Sequence, residues 1–144
     1  MKKTDFPRSV QAGFTLLELL VVLLIIALLA GYVGPKLFGE VGKAKTKTAA
    51  SQMKSIADAL DHYRLDIGRY PSTEQGLNAL VKKPADVNKW NGPYLMKDVP
   101  NDPWDQPYEY RTPGENGREY DLLTYGLDGK AGGSGEDADV SYWQ

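Results

Sequence analysis

Four carboxylates, those of Asp128, Glu136, Asp137 and Asp139, fall within residues 125–140 together with the single lysine Lys130 and five glycines. Glycines that frequent let the backbone curl, so that carbonyls and carboxylates can turn toward one point. Hard oxygen donors in such numbers suit Ca2+, which accepts about six to eight of them in flexible geometry. The spacing is not that of an EF-hand, and on composition alone a solvated tail is the better reading. Cysteine is absent, which excludes disulfides, thiolate metal sites and thiol catalysis. His62, the one histidine, flanks an apolar helical stripe without an evident chemical partner, so it reads as a surface or half-buried helix residue. No Ser-His-Asp set, transition-metal cluster or phosphate-binding glycine loop is present, and a non-enzyme is expected. Paired acids of the kind that hydrolyse glycosides are the one catalytic arrangement left open.

A further acid stands where an acid is costly. Residues 14–33 read FTLLELLVVLLIIALLAGYV, apolar apart from Thr15, Glu18, Gly31 and the Tyr32 hydroxyl. As a helix this run is about 30 Å long, close to the hydrocarbon thickness of a bilayer. An ionised carboxylate costs about 2.5–3.5 kcal/mol near the centre of such a helix and less near its end. The run offers Glu18 no partner, so the partner is expected from another chain. A cut after Gly13 would free an α-amine on Phe14, and a neighbour displaced along the axis could present that amine to Glu18. A secretory signal peptide would instead be cut after the apolar run, where Leu28-Leu29-Ala30-Gly31 matches a small-x-small site poorly. A plain signal anchor is the other rival, and Glu18 weighs against it too.

The elements that carry these groups are legible in the pattern. Gly34-Pro35 follows the span, and the proline predicts a kink or local opening there. Beyond it Ala49, Met53, Ile56, Leu60, Tyr63 and Ile67 recur at alternating steps of four and three, one apolar stripe on a continuing helix. Lys54, Asp58, Asp61 and Arg64 lie off the stripe. Gly68 and Pro71 stop a helix of about fifty residues. Ser72 and Gln75 fit a capping box, predicting a short helix with Leu77, Leu80 and Val81 on its apolar side. Trp104 reads as a core anchor, and the prolines around it exclude regular interior strand pairing. Residues 108–111 and 119–125 read as strands about the turn cluster Pro113-Gly114-Glu115-Asn116-Gly117. The expected class is α+β, a long kinked helix packed on a small antiparallel sheet. A head of about 100 residues with this much loop and no disulfide needs a further staple, and the acidic loop is the candidate. Formal net charge is −2, which argues against nucleic acid as the main partner.

Three segments together carry a resemblance. Gly13-Phe14-Thr15-Leu16-Leu17-Glu18 resembles the prepilin cleavage motif of type IV pilins and type II secretion pseudopilins. Arg69-Tyr70-Pro71-Ser72-Thr73-Glu74-Gln75-Gly76-Leu77 resembles the RYP-TEQGL signature of the major, G-type pseudopilins. Asn101-Asp102-Pro103-Trp104 with Pro107-Tyr108-Glu109-Tyr110 resembles their DPWG-PY-Y segment, Asp105 standing where that family usually has glycine. The resemblance implies residues 1–13 as leader, 14–34 as transmembrane and filament-core helix, 35–68 as its amphipathic continuation and 69–144 as head. It implies cleavage between Gly13 and Phe14 by a prepilin peptidase, N-methylation of Phe14, and a register role for Glu18. It implies a calcium site in the loop after Thr124-Tyr125-Gly126-Leu127-Asp128-Gly129, with Asp128 as side-chain ligand and Tyr125 and Lys130 as carbonyl ligands. Asp137, Asp139 and, more weakly, Ser134 are the far-side candidates, with hydrogen bonding to backbone amides near the terminus the alternative role for one of the aspartates. The implied function is a structural subunit that polymerises with itself and with minor pseudopilins into a periplasmic pseudopilus. An inner-membrane platform and its ATPase would drive it, and folded proteins would leave through an outer-membrane secretin. Lys36, Lys43, Lys45 and Lys47 follow the span, so orientation, leader inside and head outside, is taken from the resemblance and not from charge. A type IV pilin for adhesion, motility or DNA uptake is the alternative; many of those close the C-terminal loop with a disulfide, which this chain cannot form.

Overall fold

The structure, a computed structural model, describes residues 12–144. Of the expected leader only Ala12 and Gly13 fall among them; the rest lies outside the described residues. The chain divides into two compact units between Phe38 and Gly39. Helix α1, Leu16–Ile67, contributes to both and has Pro35 inside it. It is helical without interruption there, so of the kink or local opening expected at the proline the opening does not occur. A proline removes one helical hydrogen bond, here the one to the carbonyl of Gly31, and the turns on either side retain theirs.

In the first unit α1 starts at a reciprocal capping box. The Thr15 N–H donates to Glu18 Oε2 at 2.8 Å, and the Glu18 N–H donates to Thr15 Oγ1 at 3.2 Å. Two of the donors that a helix start leaves without partners are thereby satisfied. The apolar side chains that follow are exposed on all sides of the helix. It is the one helix among the described residues long and apolar enough to cross a bilayer.

In the second unit the stripe read from the sequence forms the core. Ala49, Met53, Ile56, Leu60 and Tyr63 are buried, and Ile67 packs against them partly exposed. Lys54, Asp58, Asp61, His62 and Arg64 are exposed. The Gly68 N–H closes the helix on the Arg64 carbonyl at 2.7 Å. The Ser72–Gln75 box forms, with the Gln75 N–H on Ser72 Oγ at 3.2 Å and the Ser72 N–H on Gln75 Oε1 at 2.9 Å. It opens a turn and then a 3-10 turn, Leu77–Leu80, instead of an α-helix, because the backbone leaves helical geometry at Gly76 (φ 58°, ψ −167°).

Strands β1 (Glu109–Arg111), β2 (Asp121–Thr124) and β3 (Val140–Ser141) form an antiparallel sheet in the order β1-β2-β3. Tyr110 faces Leu122 across β1 and β2, and Thr124 faces Val140 across β2 and β3. β3 was not expected; two residues are too few for a period-2 signal. Trp104 is buried as anticipated, with Tyr108, Tyr110, Tyr120 and Leu122 in the same core as the α1 stripe. Buried phenols need partners. Tyr108 donates to Gln52 Oε1 at 2.6 Å and Tyr110 to the Pro71 carbonyl at 2.8 Å, tying loop and sheet to the helix and its exit. Burial pushes the pKa of both hydroxyls well above the usual phenol value.

Candidate functional site

The first candidate site is the junction ahead of α1. Residues 12–15 form no helix, and Gly13 and Phe14 are exposed, Phe14 at 85%. The Gly13–Phe14 bond therefore lies in non-helical chain directly before the capped end of an apolar helix. Glu18, expected to wait for an outside partner, is held within its own chain by Thr15. The signal was in the sequence, since Thr-x-x-Glu before an apolar run is a capping box.

The second is the acidic loop, which leaves β2 after Thr124 and returns at Val140, its facing residue in β3. Its curl depends on two glycines. Gly126 (φ 68°) has the Glu136 carbonyl oxygen 2.5 Å from where a Cβ would stand, and Gly133 (φ 86°) has the Asp137 carbonyl oxygen 2.4 Å away. Both positions combine left-handed backbone with a cradle that any side chain would fill. Asp139 accepts the Gly132 N–H on both carboxylate oxygens at 3.0 Å. Asp128 Oδ1 accepts the Lys130 N–H at 3.0 Å, and the Ser134 carbonyl accepts the Asp137 N–H at 3.2 Å. Asp128, Lys130 and Ser134 are exposed, while Tyr125, Asp137 and Asp139 are half-buried. Tyr125 and Asp139 line one depression that Asp128 does not reach. Among the described residues no group of three or more His, Asp or Glu side chains is gathered for a metal. Ca2+ takes carboxylate and backbone-carbonyl oxygens together, and those are the donor types this loop carries.

Sequence reasoning missed two supports of this loop. Asp102 is buried, and its Oδ1 accepts the N–H groups of Trp104 at 2.9 Å and Gln106 at 2.8 Å. The Thr124 hydroxyl donates to Asp102 Oδ2, and Thr124 Oγ1 accepts the Gly126 N–H at 3.2 Å. The Asn-Asp-Pro-Trp segment is thus wired to the root of the acidic loop. At the far side of the loop, Glu136 lies over Gly42 of α1, where a Cβ would stand 2.8 Å from Glu136 Cγ. Lys45 Nζ is 3.8 Å from Glu136 Oε1. Gly42 gave no sequence signal, because its partner is distant in the chain.

Comparison with known proteins decides what these features belong to. The family described as type II secretion system (T2SS), protein G, matches residues 36–143. The chain belongs to the type II secretion system protein G family. The prokaryotic N-terminal methylation motif matches residues 8–33, across the Gly13–Phe14 junction. Type II secretion system core protein G of Pseudomonas aeruginosa is 47% identical over 139 residues, 94% of this chain and 97% of that protein. The Vibrio cholerae protein of the same description is 44% identical over 136 residues, 92% of each chain. In three dimensions the chain is similar to the crystal structure of the major pseudopilin from the type 2 secretion system of enterohaemorrhagic Escherichia coli. That likeness has a TM-score of 0.65 and 34% identity, covering 74% of this chain and 89% of the other.

As a protein G family member the chain is a pseudopilin of a type II secretion system and not a type IV pilin of an adhesion or motility filament. The family is one of structural pseudopilus subunits, and its other secretion components are the context in which this chain works. The apolar α1 segment is consistent with membrane anchoring.

Proposed function

We propose that the mature chain begins at Phe14, is N-methylated there, and waits in the bacterial inner membrane with its head in the periplasm. From there it polymerises with itself and with minor pseudopilins into the pseudopilus. An assembly platform and its ATPase move it, prepilin peptidase prepares it, and the outer-membrane secretin lies above it. The chain has no catalytic part in this. The observation that carries the reading is the exposed, non-helical Gly13–Phe14 bond set directly before a capped apolar helix.

The acidic loop is the proposed calcium site, through Asp128, the carbonyls of Tyr125 and Lys130, and Asp137, with Asp139 and Ser134 shaping the far side. The ion would join both ends of the loop by its charge and add folding free energy, because the site exists only in the native head.

Mass spectrometry of the N-terminal peptide from the native host membrane tests the processing. A peptide beginning at N-methyl-Phe14 is the expected result. A chain keeping its leader, or cut near Ala30, would overturn it.

A further inference from the structure

The outward face of α1 in the second unit is basic, and among the described residues Glu40 alone forms an ion pair with it. Lys43, Lys47 and Lys54 are four and seven residues apart, so they share one side of the helix. The buried Ala49, Met53, Ile56 and Leu60 take the opposite side. All three lysines are exposed. Lys43 meets Glu40 at 2.9 Å in an open, weak pair, whereas Lys47 and Lys54 have no ion partner among the described residues. Residues 39–57 carry four lysines and one glutamate; residues 58–144 carry nine lysines and arginines against sixteen acids. By sequence, residues 39–57 are therefore net positive and residues 58–144 net negative.

On the acidic part, a groove of ≈ 500 Å³ runs between the 3-10 turn Leu77–Leu80 and β1. Asp98 and Glu109 line it, no Lys, Arg or His does, and Leu77, Val99 and Pro100 add apolar wall. Both carboxylates are exposed and lack a side-chain partner among the described residues. We propose that the lysine face of α1 in one copy seats on the Asp98–Glu109 groove of a second copy. Lysine stems lie along the apolar wall and their ammonium groups reach the carboxylates. Charge of opposite sign on the two surfaces favours a staggered, head-to-tail register, while pairing like surfaces is repulsive. Lipid headgroups are the other acidic surface at hand. Lys47 and Lys54 follow the end of the apolar run, Val33, by 14 and 21 residues, and the vesicle measurement below separates the two surfaces. This contact rests on the filament reading given above.

The chain has no cysteine, so introduced ones report alone. The full chain with Lys47→Cys and Glu109→Cys, expressed with its own secretion system and oxidised in the membrane, is expected to give a ladder beyond the dimer. Either single substitution stops at the dimer. Lys47→Glu with Lys54→Glu is expected to lower the yield of sheared filaments tenfold or more, and adding Asp98→Lys and Glu109→Lys to restore at least half. Filaments of the double-cysteine chain without a ladder would overturn the contact. So would a charge reversal that leaves filament yield unchanged, including one that only weakens binding to vesicles of anionic phospholipid. If the unsubstituted chain forms no filament, the filament reading itself falls, a result visible before any substitution is made.

Discussion

Asp102 shows how one side chain can organise a loop that holds no regular structure. A carboxylate only 4% exposed accepts two backbone N–H groups and one hydroxyl, so removing it leaves several buried donors without partners. Such losses add up to more than a surface contact, and Asp102→Ala is expected to cost about 3 kcal/mol. Urea unfolding of the full chain in detergent, followed by tryptophan fluorescence, measures it. Asp102→Asn should fall between, since its carbonyl oxygen can still accept from Trp104 and Gln106. Three residues on, Asp105 has φ 69°, a left-handed backbone that costs a side chain about 1–2 kcal/mol. Asp105→Gly removes that cost and adds some chain entropy on unfolding, so a net gain of up to about 1 kcal/mol is expected in the same assay. Unchanged or lowered stability would show that the Asp105 side chain has contacts that offset its strain. The sequence made the departure at Asp105 visible; only the backbone angle gives it a physical meaning.

Among elements, legibility followed length. The α1 stripe was readable because it repeats over many turns; all its members but the partly buried Ile67 are buried, and Ala57 and Ala59 are buried beside them. The capping box at Ser72 was readable too, but the turn it opens ends at Gly76, and local capping does not set how far a helix propagates. β3 escaped because its two residues owe their place to pairing with β2. The acidic loop was legible as a loop, and its glycines as a group, yet which of them is indispensable depends on distant backbone. Gly133 and Gly132 are neighbours that separate the two effects. Both have positive φ, but a Cβ at Gly133 meets the Asp137 carbonyl at 2.4 Å, while at Gly132 it meets nothing within 4 Å. Gly132→Ala should therefore cost only about 1 kcal/mol of backbone strain. Gly133→Ala should cost about 2–4 kcal/mol, because backbone must move. Melting the two variants with calcium and with chelator extends the test to the proposed ion. The parent and Gly132→Ala should lose stability on chelation, and Gly133→Ala should not respond. A calcium response retained in Gly133→Ala would detach the ion from this loop.

For the whole molecule, Glu18 is where folding of one chain and assembly of many meet. In the single chain its carboxylate closes the first turn of α1 through Thr15, so the group is not idle before assembly. That cap needs an acceptor but not a charge, since glutamine serves at the same position of a capping box. Pairing with the Phe14 amine of a neighbour needs the charge. Glu18→Gln therefore divides the two roles, while Glu18→Ala removes both. The neutral side chain also lightens the cost of membrane insertion, so a defect in Glu18→Gln cannot come from failure to insert. We expect both variants to be cut at Gly13–Phe14, and both to lose filaments at least tenfold, Glu18→Gln as severely as Glu18→Ala. Sheared-filament yield, read beside mass spectrometry of the N-terminal peptide, measures the two steps separately. Filaments at parental yield from Glu18→Gln would assign the glutamate to its own helix alone, and the register would then have to come from the heads.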